Sequence, residues 1–137
     1  MKTIIAFLAF SALSSGSSIQ ELIAKYEGWG NHNSLTRQLH NPGALSFAKQ
    51  PNAVYGSGGY AKWKTDEEGW RALDNDLQAK IRKYHPHTLR ELLRFWDAKG
   101  YLSPMAKELG ITPETKLRFL LIPHKDWGWT VSYAPGN

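Results

Sequence analysis

Apolar residues recur along most of this chain at helical spacing, each run opened by a residue suited to start a helix. Ser18 and Glu21 form a capping box, in which each side chain satisfies a free backbone N–H of the first turn, so a helix is predicted from Ile19. Ile19, Leu22, Ile23 and Tyr26 then fall at i, i+3, i+4 and i+7, a stripe that must face a core. Gly28 and Gly30 end it. Thr65 with Glu68 opens a second run carrying Trp70, Leu73, Leu77, Ile81 and Tyr84 up to Pro86. Thr88 with Glu91 opens a third, with Leu89, Leu92, Leu93 and Trp96, that extends to Gly100. Ser103 with Pro104 predicts a short helix to Leu109, closed by Gly110. Thr112 with Pro113 predicts a last helix through Leu117, Leu120 and Leu121, stopping before Pro123.

Two stretches break the helical period. Residues 31–64 are punctuated by turns at Asn31–Asn33, Asn41–Gly43 and Gly56–Gly59. Leu45-Ser46-Phe47 and Tyr60-Ala61-Lys62-Trp63 alternate as short strands there, predicting a small antiparallel hairpin with Lys49 to Gly58 as its loop. Alternation sends Tyr60 and Trp63 to opposite faces, one for a ligand and one for the interior. The tail from His124 to Asn137, with Trp127, Trp129 and Tyr133, reads as an extended segment that covers the core, the other reading being an aromatic binding strip. The fold class is therefore α+β, mainly helical, with one small antiparallel hairpin.

The first seventeen residues look like a targeting signal. Lys2 gives a positive start, Ile4 to Leu13 an apolar stretch of about ten residues, and Ser14 to Ser18 a small-residue cleavage zone. That apolar stretch is shorter than the roughly 20 residues of a membrane span, so no stable insertion is expected. The expected destination is a periplasm or the cell exterior. Residues 18–137 form one domain by length, expected to be monomeric. With no cysteine there is no disulfide framework. The formal charge is +5, or +4 once Lys2 is removed. A mildly basic exported protein suits an anionic partner, but without a Lys/Arg run nucleic acid is not expected. His85 and His87 flank a proline with no third ligand nearby in sequence, so neither a metal nor a cofactor is expected.

One carboxylate stands out. Glu27 follows directly on the first apolar stripe, near the negative end of the helix dipole and between Tyr26 and Trp29. Both surroundings disfavour its charged form, and a carboxyl that keeps its proton near neutral pH can act as a general acid. The plainer reading is a solvated glutamate at a helix end. Asp66, Glu67 and Glu68 occupy a first helical turn, where acidic side chains are favoured by the dipole alone.

Four short motifs in order carry a resemblance: Tyr26-Glu27-Gly28-Trp29, Asn41-Pro42-Gly43-Ala44-Leu45, Gly59-Tyr60-Ala61-Lys62-Trp63 and Glu68-Gly69-Trp70-Arg71-Ala72-Leu73. Together they resemble lysozyme-like proteins of the lytic transglycosylase and goose-type lysozyme kind, most closely small phage and bacterial members with an Asn-Pro-Gly-Asn-Leu loop. The resemblance spans residues 19–122. It implies a lysozyme-like fold, peptidoglycan glycan strands as the partner and Glu27 as the catalytic acid and base. Asn41, Gly43, Tyr60 and Trp63 become the substrate-binding positions, with Asp66 and Glu68 as candidates for a second carboxylate should the reaction be hydrolysis. The chain departs from the family pattern at Ala44, where Asn or Asp is frequent, and at His40, where a second Asn is usual. The competing reading is a non-catalytic wall-binding or structural protein on the same scaffold.

Overall fold

The computed structural model describes residues 18–126 and 128–136, so the signal reading of residues 1–17 and the tail residue Trp127 lie outside the described residues. Helix α1 (Ile19–Tyr26) begins as predicted, the Ser18 hydroxyl accepting from the Glu21 N–H at 3.2 Å. Its stripe is real: Ile19, Leu22 and Ile23 are buried, and Tyr26 packs against the same core. Helix α2 (Leu35–Gln38), one turn capped by Ser34, sits in the stretch read as turns.

The predicted antiparallel pairing of Leu45–Phe47 with the segment from Tyr60 forms as a single bridge, and the predicted loop holds a strand of its own. Strand β1 (Val54–Tyr55) is the antiparallel partner of β2 (Ala61–Lys62), the chain turning through Ser57–Gly59. Leu45–Phe47 lies along the other side of the same segment, joined by the Ser46–Tyr60 bridge and by Ala61 N–H donating to the Leu45 carbonyl at 2.9 Å. The Gly-rich turn is tight enough to close a shorter loop than Lys49 to Gly58.

Helix α3 (Asp66–Tyr84) runs along the core, with Leu73 and Leu77 fully buried. Thr65 and Glu68 make the capping box, the Glu68 N–H donating to the Thr65 hydroxyl and that hydroxyl donating to the Glu68 carboxylate. The helix predicted to reach Gly100 ends far earlier: α4 spans Leu89–Leu93, followed by 3-10 turns at Arg94–Trp96 and Ala98–Gly100. Asp97 between them has φ 47°, a left-handed conformation that no α-helix can pass through. Helix α5 is Leu102–Glu108, starting one residue before Ser103 and without a side-chain cap.

The predicted last helix is a strand. Thr112 to Thr115 form a turn, the Thr112 N–H donating to the Thr115 hydroxyl, and β3 (Leu117–His124) then pairs along its full length with β4 (Gly128–Pro135). Leu117, Phe119 and Leu121 are two apart and pack on the core together. The period is therefore 2, and the leucines matched a helical stripe only because an apolar run fits both templates. The tail is extended and covers the core, with Val131 and Tyr133 buried and Trp129 exposed. The class is α+β and mainly helical, with two small antiparallel sheets instead of one hairpin.

Candidate active site

Glu27 caps α1 at its C-terminus. Its N–H still donates to the Ile23 carbonyl at 2.9 Å, and Gly28 turns the chain away at φ 94°. The following loop is brought back past that end by three hydrogen bonds. The Thr36 hydroxyl donates to the Glu27 carbonyl at 3.3 Å, the Arg37 Nε–H to the Trp29 carbonyl at 2.7 Å, and the Asn41 N–H to the Thr36 carbonyl at 2.9 Å. The result is an open cavity of about 150 Å³ lined by Glu27, Leu35, Thr36, Leu39, Asn41, Ala44 and Tyr60. Burial pushes the Glu27 carboxyl above its usual range, because a charge loses solvation beside these apolar walls.

The loop that supplies Asn41 is held against α3 by two close approaches. A side chain at Gly69 would place its Cβ 1.9 Å from the His40 carbonyl oxygen, and one at Gly43 would lie 2.6 Å from the Leu73 side chain. Only glycine fits against the backbone at Gly69, while a Cβ at Gly43 would force the Leu73 side chain to shift. The Trp96 indole N–H completes the clamp by donating to the Gly43 carbonyl at 3.0 Å.

The other predicted residues separate into two groups. Tyr60 lines the cavity with Glu27. Asn41 also borders it, but its side chain is spent inside the protein: Nδ2 donates to the carbonyls of Leu45 and Ala61, and Oδ1 accepts from the Leu45 N–H, all at 2.9 Å. It ties the loop to the hairpin and supports the wall of the cavity. Trp63, predicted as a sugar contact or a core residue, is in the core at 2 % exposure, its indole N–H donating to the Pro51 carbonyl. Gly43 packs against the Leu73 side chain of α3.

Neither candidate for a second carboxylate reaches the cavity. Asp66 binds the His40 ring at 2.7 Å and the Arg37 guanidinium at 3.5 Å. Glu68 is committed to the Thr65 capping box and borders a different cavity, of about 220 Å³, with Gln50, Arg71 and Asp76. Among the described residues Glu27 is the one carboxylate lining its cavity. No group of three or more metal-ligating side chains occurs among the described residues.

Sequence reasoning missed Tyr101. Its ring stacks on Tyr26 at 5.3 Å between centroids and 8° between planes, and its hydroxyl is buried without a hydrogen-bond partner among the described residues. Burial first, then the negative charges of Glu27 and Asp97, push that phenol well above its ordinary range. It is a neutral O–H close enough to Glu27 to feel its charge. Nothing local in the sequence marks it, because it stands 74 positions from Glu27 and meets it only through packing.

No protein-family model, no curated protein and no solved structure matches this chain. The chemistry rests on the cavity: one half-buried carboxyl whose pKa is raised by burial, and an aromatic wall at Tyr60.

Proposed function

We propose that this protein is an exported peptidoglycan-cleaving enzyme that breaks the β-1,4 bond after N-acetylmuramic acid with Glu27 as its single acid and base. The observation that carries the reading is a half-buried carboxyl with a raised pKa in a cavity lined by no second acid among the described residues. A two-carboxylate hydrolase needs a partner about 5 to 9.5 Å from the acid, to attack the sugar or to activate water. Asp66 and Glu68 are both engaged elsewhere.

A single glutamate can complete a different reaction. Protonated Glu27 gives its proton to the glycosidic oxygen as the bond to the muramic anomeric carbon breaks, releasing the glucosamine-side hydroxyl. The substrate's own N-acetyl group stabilises the electron-poor carbon. Glu27, now a carboxylate, takes the proton from the C6 hydroxyl of the same muramic residue, and O6 closes on C1. The product is a 1,6-anhydro sugar, no water is consumed, and Glu27 ends protonated. Tyr60 offers an aromatic wall to the sugar.

The test is mass spectrometry of the products released from sacculi by the purified protein and by Glu27→Gln. Anhydro-muropeptides from the wild type and none from the variant support the proposal. Reducing-end products mean a hydrolase. If both proteins sediment with sacculi and neither releases anything, the non-catalytic wall-binding reading takes over.

A further inference from the structure

Away from the Glu27 cavity, the end of α3 and the turn after α4 gather cations around aromatic rings. The segment from Lys80 to Asp97 holds five Lys/Arg against two Asp/Glu, +3 of the chain's formal +5. Tyr84 and Phe95 bring its two ends together at 4.8 Å between ring centroids. Arg94 lies over both rings, at 5.4 and 4.8 Å, Lys83 over Tyr84 at 5.2 Å, and Lys80 over Phe95 and Trp96 at 5.2 and 4.8 Å. Lys80 is paired with Asp76, and Arg90 with Glu114. Arg82, Lys83 and Arg94 are exposed and make no ion pair among the described residues.

Helix-dipole compensation accounts for Arg82 and Lys83 in the last turn of α3. It does not account for Arg94, which arrives from another element onto the same rings. Beside Arg94 opens a cavity of about 330 Å³ whose wall includes Arg90, Leu93 and Ser103. We propose that this face binds a linear phosphodiester polymer that carries no stacking bases, through Arg82, Lys83 and Arg94. Charge complementarity selects a polyanion, since Lys83 and Arg94 over the rings and Arg82 beside them in the last turn of α3 make no ion pair among the described residues, and each releases a counterion on binding a phosphate chain. The rings select among polyanions. Nucleic-acid strands are held by bases stacking on free aromatic faces, but here Lys83 and Arg94 already sit over Tyr84, and Lys80 and Arg94 over Phe95. The rings serve as a mount that orders the cations. This binding is independent of the glycan reaction proposed for Glu27.

The experiment is fluorescence anisotropy of labelled poly(glycerol phosphate) with the full chain across a salt series. The triple variant Arg82→Gln/Lys83→Gln/Arg94→Gln is compared with Lys64→Gln/Lys116→Gln/Lys125→Gln, which removes the same charge from exposed sites elsewhere. Circular dichroism checks that both fold. The first variant is expected to lose more than tenfold in affinity and to flatten the slope of log K against log salt by roughly 2 to 3. The second is expected to lose less than about threefold. Tyr84→Leu, which keeps every charge, is expected to cost about two- to fivefold through the lost cation–π contacts. Equal losses from the two triple variants overturn the proposal, because net charge alone would then explain binding. Tighter binding to an oligonucleotide of equal charge, or to phosphatidylglycerol vesicles with none to the polymer, overturns it in favour of those partners.

Discussion

Two regions close this fold by different means. The loop from Leu39 to Leu45 is fixed by individual atoms: Asn41 makes three side-chain hydrogen bonds, Gly69 admits the His40 carbonyl where no Cβ would fit, Gly43 lies close against Leu73, and Trp96 pins the Gly43 carbonyl. The β3–β4 ribbon is fixed by a repeating ladder of eight residue pairs and by apolar side chains at every second position. The loop builds the wall beside Glu27. The ribbon covers the core formed by α1 and α3. A ladder tolerates exchange of one apolar side chain for another of similar size, whereas the loop geometry depends on particular atoms and has no redundancy. The region beside the proposed acid is built in the less tolerant way.

Substitutions can break or sharpen that contrast. The largest effect is expected from Glu27→Gln, which should remove 10²- to 10⁴-fold or more of any glycan-cleaving rate, since the general acid is lost while the shape is kept. Product release from sacculi reads the rate and thermal unfolding reads the fold; a variant that stays active would sink the mechanism. The same group predicts that the acid step weakens as pH rises through its raised pKa, because the proton it must give is then gone.

Next comes Asp74, a fully buried carboxylate on α3 that belongs to neither region. One oxygen accepts from Gln78 Nε2 at 2.8 Å and the other has no partner among the described residues, so burial raises its pKa to about 7. A carboxyl whose folded pKa lies above its unfolded value favours the folded state while it is protonated. Its contribution is full below the unfolded pKa of 3.8 and is lost as pH rises towards 7. Asp74→Asn should therefore raise stability above pH 7, by on the order of 2–4 kcal/mol, and flatten the pH dependence of unfolding between those values. An unchanged pH profile would mean that the carboxyl is solvated.

Asn41→Ala tests the loop directly. It leaves the part-buried N–H of Leu45 without its partner and removes one donor from the Ala61 and Leu45 carbonyls, the latter keeping the Ala61 N–H, at an expected cost of about 1–3 kcal/mol, and activity should fall further than the unfolded fraction explains. Val131→Ala in the ribbon should cost a similar amount, on the order of 2 kcal/mol, through a core cavity, yet leave the activity of the folded molecules intact. If both variants lose activity only in proportion to unfolding, the contrast between the regions fails. Trp129→Ser, at an exposed position on β4, marks the small end: within about 0.5 kcal/mol in denaturant unfolding.

Much of this architecture could be read along the chain, and the reason is locality. Ser18 and Glu21, Thr65 and Glu68, Thr88 and Glu91 cap real helices because a cap is decided by atoms three residues apart. The placement of Glu27 at the end of α1 is equally local: a stripe, then a glycine at φ 94°. The return of the Asn41 loop past that end was legible in its turn residues. What the sequence by itself determined is thus the class, most helix starts and the placement of Glu27 at the end of α1, while the burial of Asp74 went unmarked. Only the tertiary structure decided the rest. Leu117 to Leu121 fit a helical stripe and a strand equally, and became a strand because Val131 and Tyr133 lay ready to pair beside them. Trp63 went inward, its indole N–H on the Pro51 carbonyl, and Tyr60 faced the Glu27 cavity, an assignment that alternation leaves open. Asp66 was drawn to His40 and Arg37, and Tyr101 came to Glu27 across 74 residues. Each of these depends on surfaces that meet only after folding, and burial, which sets the pKa of Glu27, exists nowhere in a chain until they do.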